Sequence, residues 1–269
     1  MSRVVCVGLA TRDAIFAVPS HPEPDGRVVS SELTFAGGGP AATAAVTLAR
    51  LGVEAAFAGA VGDDEAGLFV RDGLADEGVD VSGLRVVPGG RTPQSAILVG
   101  PDGARAIVHH PGDVGVPDAN AGADWVHVDH AGYGHARGAR LSVDGGNPIP
   151  GLDLRGVALY APTEATLREQ FGDAEAALAA GAELVVTTRG EGGCVAATAA
   201  GETVESPAFP VDAVSTLGAG DVFHGALLAF LVRGAPLADA LRGANKAAAL
   251  SCRALDGRSA IPTMEELTA

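Results

Sequence analysis

The segment Ser215-Thr216-Leu217-Gly218-Ala219-Gly220-Asp221 places two glycines and a carboxylate at the start of the apolar run Val222 to Leu231. Gly218 and Gly220 allow backbone conformations that a Cβ would forbid, and the first turn of a helix leaves N–H groups with no intrahelical partner. Such donors can converge on one small anion, so Gly218, Ala219 and Gly220 read as a phosphate-sized anion hole. Asp221 falls in the first helical turn, where the dipole favours a carboxylate and where it could take the proton of a hydroxyl attacking phosphorus. Donors and a base side by side suggest phosphoryl transfer. The same residues would also serve as a plain strand-to-helix turn, so the motif needs support from elsewhere.

The chain has 269 residues, 47% of them hydrophobic, enough for one large domain or two small ones with a buried core. A net charge of −15 with a single lysine, Lys246, excludes a nucleic-acid surface or an anionic-membrane surface. An anionic nucleotide would be held by backbone donors, arginines and metal. Cys6, Cys194 and Cys252 are widely spaced, odd in number and form no CxxC pair, which predicts reduced core thiols rather than a disulfide framework. The first strand lacks the flanks of a secretory peptide and no apolar run reaches the length of a membrane span. A cytoplasmic protein is expected.

The elements that must position the motif alternate along the chain. Residues 3–8 read as a buried parallel strand, and the loop after it holds Asp13, either at the ligand-binding end of an open α/β sheet or as a cap. Gly37-Gly38-Gly39-Pro40 opens a helix over 41–50 closed by Gly52. Gly37, Gly39 and Ala42 approximate a dinucleotide fingerprint with Asp63 downstream, but a strand already precedes them, which favours a glycine hinge admitting substrate to the helix start. A helix is expected over 67–77, and strands over 94–99 and 105–109 around an Asp102-Gly103 turn form a hairpin. That hairpin reads as a flap turning Arg105, His109 and His110 toward whatever it covers. In His127-Val128-Asp129-His130 the first and third residues share a strand face while His130 does not, and with no further ligands at a recognised spacing, pocket lining or an ordinary structural role is read ahead of metal ligation. Thr163 and Glu164 would cap a helix over 165–171, 183–188 is a strand before Arg189-Gly190-Glu191-Gly192-Gly193, and a long helix over 237–254 carries Asn245 and Lys246. No linker or repeat interrupts this α/β alternation.

In their order, these pieces resemble the ribokinase-like, or PfkB, carbohydrate kinases over nearly the whole chain. Gly38 to Gly52 is similar to the family's first signature, Val61 to Gly67 to its VGxDxxG turn, and Asp102 to Arg105 to its lid hairpin. Val214 to Phe230 is similar to the second signature, and Gly257 to Thr263 to the usual ending before a final helix. The resemblance implies a three-layer α/β/α sandwich in one domain, 1–269, with a small β-sheet lid from about 14–36 and 91–111. It implies ATP and Mg²⁺, with Asp221 as general base and Gly218, Ala219 and Gly220 as the anion hole. Asp13, Gly38, Gly39, Thr43 and Arg105 would hold the sugar; Thr188, Gly190, Gly193 and Asn245 the nucleotide; and Glu164 would order Mg²⁺ through water. A homodimer through the lid is a further expectation.

Three residues depart from the family pattern: Thr43 and Ala161 each replace an Asn, and Ser215 replaces an Asp. Phe223-His224-Gly225 leans toward the ketose kinases, such as those of fructose and sulfofructose. The expected activity is therefore phosphorylation of a small sugar or sugar derivative, a ketose first. Arg105, Arg137 and Arg140 keep a phosphosugar or nucleoside acceptor open, and the three departures keep open a catalytically silent sensor.

Overall fold

The computed structural model describes residues 3–120, 122–137 and 140–268. Its central strand, β1 (Arg3–Val7), owes its place to an uninterrupted apolar run. Side chains alternate across a strand, so Val4 and Cys6 join one apolar layer while Val5 and Val7 join the other. After β2 (Thr11–Ala17) and β3 (Glu32–Gly38) come α1 (Pro40–Arg50), β4 (Glu54–Gly62), α2 (Glu65–Asp76) and β5 (Asp80–Val87). The hairpin is β6 (Gln94–Val99) and β7 (Arg105–His110). Then follow β8 (Ala119–Asn120), β9 (Trp125–Val128), β10 (Ala136–Arg137), β11 (Arg140–Gly145), β12 (Val157–Pro162), α3 (Glu164–Gln170), α4 (Ala174–Ala179) and β13 (Leu184–Thr188). The chain ends with β14 (Cys194–Thr198), β15 (Thr203–Ser206), α5 (Ala219–Val232), α6 (Leu237–Ser251) and α7 (Met264–Thr268).

The main sheet has the order β15-β14-β13-β12-β11-β9-β1-β4-β5, parallel from β13 to β5 and antiparallel at β14 and β15. Helices α1, α2, α5 and α6 pack on one face, around Phe57, Leu48, Leu74, Leu227 and Leu241. Leu167 of α3 and Ala177 of α4 cover the other face around Tyr160 and Val143. This is a three-layer α/β/α sandwich. From β1 the chain first builds outward to β4 and β5, then returns to β9 and builds the other way. Such a reversal opens a crevice at the carboxyl ends of β1 and β9.

A second sheet, β3-β2-β6-β7, is separate from the first. Asp13 therefore lies within strand β2 and not in a loop after β1, and Gly37 and Gly38 complete β3. Thr11, Asp13 and Ile15 are buried and Arg12, Ala14 and Phe16 half-buried, a strand alternation that the polar start Thr11-Arg12-Asp13 concealed. Helix α2 starts at Glu65, earlier than the expected 67, because Asp64 caps it by accepting from Gly67 N at 2.8 Å.

Helices α1 and α5 approach closely at Gly225, where a Cβ would come within 2.7 Å of Ala44 O and 2.8 Å of Thr47 Cβ. Gly73, inside α2, faces open space. Gly225→Val is expected to destabilise the protein by about 1–3 kcal/mol through overpacking. Gly73→Ala is expected to stabilise it by about 0.5–1 kcal/mol. Urea unfolding of both variants checks the opposite signs.

Candidate active site

The glycine turn lies at the start of α5, the helix expected after it. Gly218 is the left-handed N-cap of α5, with φ 73°, and a Cβ there would meet Gly257 at 3.1 Å. Ala219 and Gly220 form the first turn, and the side of Gly220 that a Cβ would occupy is open space. The preceding loop is held by Ser215, whose buried Oγ accepts from Leu217 N at 3.1 Å. Arg105 of β7 donates from Nη1 to Thr216 Oγ1 at 2.9 Å, so this arginine ties the small sheet to the loop before α5.

Asp221 follows the open turn and is half-buried. Burial, then the Asp144 carboxylate, push its pKa up to about 7, with His224 and Arg105 opposing and Asp129 adding to the rise. Its charged state is thus in balance near neutrality, as proton transfer at that pH requires.

Asp13, Gly38, Gly39 and Thr43 gather on the opposite side. Asp13 is buried and accepts from Thr11 Oγ1 at 2.7 Å. Burial raises its pKa, against hydrogen bonds from Thr11 and Ser95 and the charges of Arg258 and His109. A Cβ on Gly38 would strike the Asp13 carboxylate, and one on Gly39, with φ 93°, would strike Leu9 O, so glycine is required at both positions. His109 contacts Ser95 Oγ at 3.3 Å, whereas His110 Nδ1 accepts from Gly112 N at 3.0 Å within its own turn.

Sequence reasoning missed Arg258. It is buried, donates from Nη2 to Gly38 O at 2.8 Å and from Nε to Thr43 Oγ1 at 3.2 Å, and its Nη1 fills the space beside Gly37. Burial lowers its pKa to about 10, with Asp13 and Asp221 among the charges opposing the fall. The shortened Thr43 was a signal, since a small polar residue leaves room for a long one from elsewhere in the chain. Arg50 secures this loop by donating to Arg258 O at 3.0 Å and Ile261 O at 2.8 Å while pairing with Glu77 at 2.6 Å.

Asp129 has a role other than metal ligation. Its carboxylate accepts four backbone N–H groups, from Leu9 at 2.8 Å, Ala41 at 3.2 Å, Ala131 at 2.9 Å and Gly132 at 2.8 Å. His127 faces elsewhere, sharing a hydrogen bond with Ser142 Oγ at 3.0 Å. No group of three or more metal-competent side chains occurs among the described residues.

The residues expected to hold nucleotide line the other half of the sheet's carboxyl edge. Thr188 ends β13 and bridges to Thr163, and Gly190 opens a single 3₁₀ turn with open space beside it. Gly193, with φ 77°, packs against the backbone of 206–208. Asn245 is buried, and its Nδ2 lies 3.0 Å from Ser206 O and 3.1 Å from Pro207 O, so it fixes this same backbone. Glu164 is exposed in the first turn of α3, 3.7 Å from Arg189 Nε and 3.9 Å from Arg168 Nη2. Lys246 donates to Leu267 O at 2.7 Å, and Arg140 stacks on Trp125 and pairs with Glu183 at 3.2 Å; the Arg137 side chain lies outside the described part.

Comparison with known proteins gives a consistent picture. A model described as pfkB family carbohydrate kinase matches residues 1–143 and 155–264. An ATP-dependent ribose-1-phosphate kinase of Halopiger xanaduensis is 32% identical, over 100% of this chain and 98% of its own. An aminoimidazole riboside kinase of Salmonella typhimurium is 30% identical over 86% of each chain. Among solved structures, a candidate ribokinase from Agrobacterium tumefaciens superposes with a TM-score of 0.87 at 29% identity, covering 99% of this chain and 96% of that one.

Removal of the Asp129 carboxylate leaves four main-chain donors to find other partners. Asp129→Ala is expected to cost at least about 3 kcal/mol. Urea unfolding followed by fluorescence of Trp125, the chain's one tryptophan, measures it.

Proposed function

This chain belongs to the pfkB family of carbohydrate kinases, ATP-dependent phosphotransferases, and on that footing we propose that it transfers the γ-phosphoryl group of ATP to a hydroxyl of a small sugar or sugar derivative held between Asp13 and Asp221. The observation carrying this reading is Asp221, poised near neutrality directly after an open turn of backbone donors. Asp221 takes the acceptor's proton, and the turn Gly218-Ala219-Gly220 faces the charge that develops on the moving phosphoryl group, with Gly218 and Gly220 N–H as its donors while Ala219 N–H donates to Thr216 O at 3.3 Å. Asp13, Gly38, Gly39 and Thr43, with Arg258 behind them, shape the acceptor side; Thr188, Gly190, Gly193 and Asn245 shape the nucleotide side. Arg105 acts through Thr216, fastening the small sheet over the crevice as a lid of the one kinase domain.

Mg²⁺ fits this arrangement as a companion of the nucleotide, since it ordinarily meets protein through one or two carboxylates and keeps phosphate and water ligands. Glu164, exposed and beside Arg189, is the carboxylate we assign to it through water. When bound, the ion neutralises phosphate charge. Three buried free cysteines support a reducing, cytoplasmic setting.

For the acceptor we retain a ketose as the first reading, on Phe223-His224-Gly225. A ribose derivative is the second, favoured by the ribose-1-phosphate and riboside kinases among its relatives. The lid exposes Leu33, Phe35, Ile107 and Val108 on its two edge strands, which supports pairing with a second copy.

Asp221→Asn is expected to lower kcat by about 10²–10⁴-fold while leaving ATP affinity unchanged. In the wild type, kcat/KM should rise with pH through about 7, because the ionised carboxylate is the active form and is lost as pH falls. ADP release measured across ketoses, pentoses, sugar phosphates and nucleosides tests both; near-normal turnover of the variant would remove Asp221 as base. Light scattering should return a dimer mass for the wild type and a monomer mass for Val108→Lys; a monomeric wild type would end the dimer reading.

A further inference from the structure

Beneath Asp221 lies a group of buried titratable side chains that the proposed reaction leaves without a role. His224 follows Asp221 by three residues on α5, a spacing that sets both on one side of the helix. Its Nδ1 lies 2.9 Å from Asp144 Oδ2, and each of the two side chains is only 4% exposed. Asp144 sits near the end of β11, where Gly146 N donates to its Oδ1 at 2.7 Å. His127, on the neighbouring strand β9, stands with its ring centroid 6.2 Å from that of His224.

Burying a histidine–carboxylate pair in an apolar layer is costly, and an apolar pair of similar volume would generally hold the fold as well or better. The pair therefore needs a reason beyond packing, and the charged group one helical turn before His224 on the same side of α5 is Asp221. Asp144 alone would work against that group, because a second carboxylate nearby disfavours the charged form. A cation between them counters this effect.

We propose that His224 is a positioning residue for the transfer reaction: its buried imidazolium, held by Asp144, offsets the negative charge around Asp221 and keeps Asp221 in its ionised, proton-accepting form.

The surrounding charges agree. Burial alone would discharge His224, but Asp144, Asp221 and the carbonyl of Ala161 outweigh it and raise its pKa. Burial likewise pushes Asp144 up, yet His224, His127 and Gly146 N–H hold its pKa at about 2. Burial takes His127 down to about 4, so it remains neutral and adds no second cation. The other charged groups facing Asp221 are Asp129 beyond β9, Arg105 of β7 and Arg258 of the C-terminal loop, all present whether or not His224 is charged.

The inference rests on Asp221 as the base, so the test runs His224→Gln and Asp221→Asn beside the wild type, with ATP, Mg²⁺ and the accepted sugar. The acid limb of kcat/KM in His224→Gln should move upward by about one pH unit or more, with rate lost at neutral pH recovered on the alkaline plateau. A structural role would lower the rate at every pH alike, and an unmoved limb in a folded variant overturns the proposal while leaving Asp221 in place if Asp221→Asn is inactive. An active Asp221→Asn removes the base assignment and the inference with it. Should His224→Gln fail to fold, ¹⁵N chemical shifts of the His224 ring in the wild type decide: a charged ring at pH 7.5 supports the proposal, and a neutral ring there overturns it.

Discussion

The crevice depends on how one buried carboxylate is satisfied. Asp129 would be expensive to bury alone, and four main-chain donors from three separate stretches converge on it. Leu9 lies just after β1, Ala41 at the start of α1, and Ala131 and Gly132 in the turn after β9. One side chain thus joins the exits of the two strands that flank the crevice to the helix that begins on its acceptor side. Close contact is part of the same arrangement: a side chain on Gly8 would occupy the space of the Asp129 carboxylate, and one on Gly132 would strike Val7 O.

Charge is distributed around this frame in a particular order. Asp13, Asp129, Asp144 and Asp221 are four carboxylates near one edge, and the cations set against them are Arg258, Arg105 and His224. Each cation is held by its own main-chain or hydroxyl partner, or by a single carboxylate, so none is free to collapse onto the nearest acid. The result is a site in which Asp13, Asp129 and Asp221 are driven upward by burial while Asp144 is held low, a separation of proton affinities suited to acid–base work.

The sequence disclosed those features that depend on local chemistry. The glycine turn before α5, the Asp-Gly hairpin, the Pro40 start of α1 and the apolar strands each follow from rules operating within a few residues. What escaped was non-local. Arg258 reaches Thr43 across 215 positions of chain, and Asp129 reaches Leu9 across 120. Periodicity carries no information about such pairs. The start of strand β2 was misread for a different reason: Thr11, Arg12 and Asp13 are polar and follow Gly8, so they look like a loop, and the pairing with β3 and β6 that makes them a strand is not visible locally.

The close approach of α1 and α5 at Gly225 has a consequence for motion. One helix begins at the glycines proposed for the acceptor, the other at those proposed for the phosphoryl group, and at Gly225 the backbone of α5 lies against Ala44 O and Thr47 Cβ of α1. A contact of glycine backbone with a carbonyl and a β-branched Cβ has little rotamer freedom through which to yield. The two ends therefore behave as the jaws of a fixed gauge, with their separation set by the fold before any ligand arrives. On the proposed reading, opening and closing falls to the second sheet, whose strand β7 reaches the loop before α5 through the hydrogen bond from Arg105 to Thr216. On that reading the molecule divides its labour mechanically, with a stiff jig for alignment and a latched cover for access.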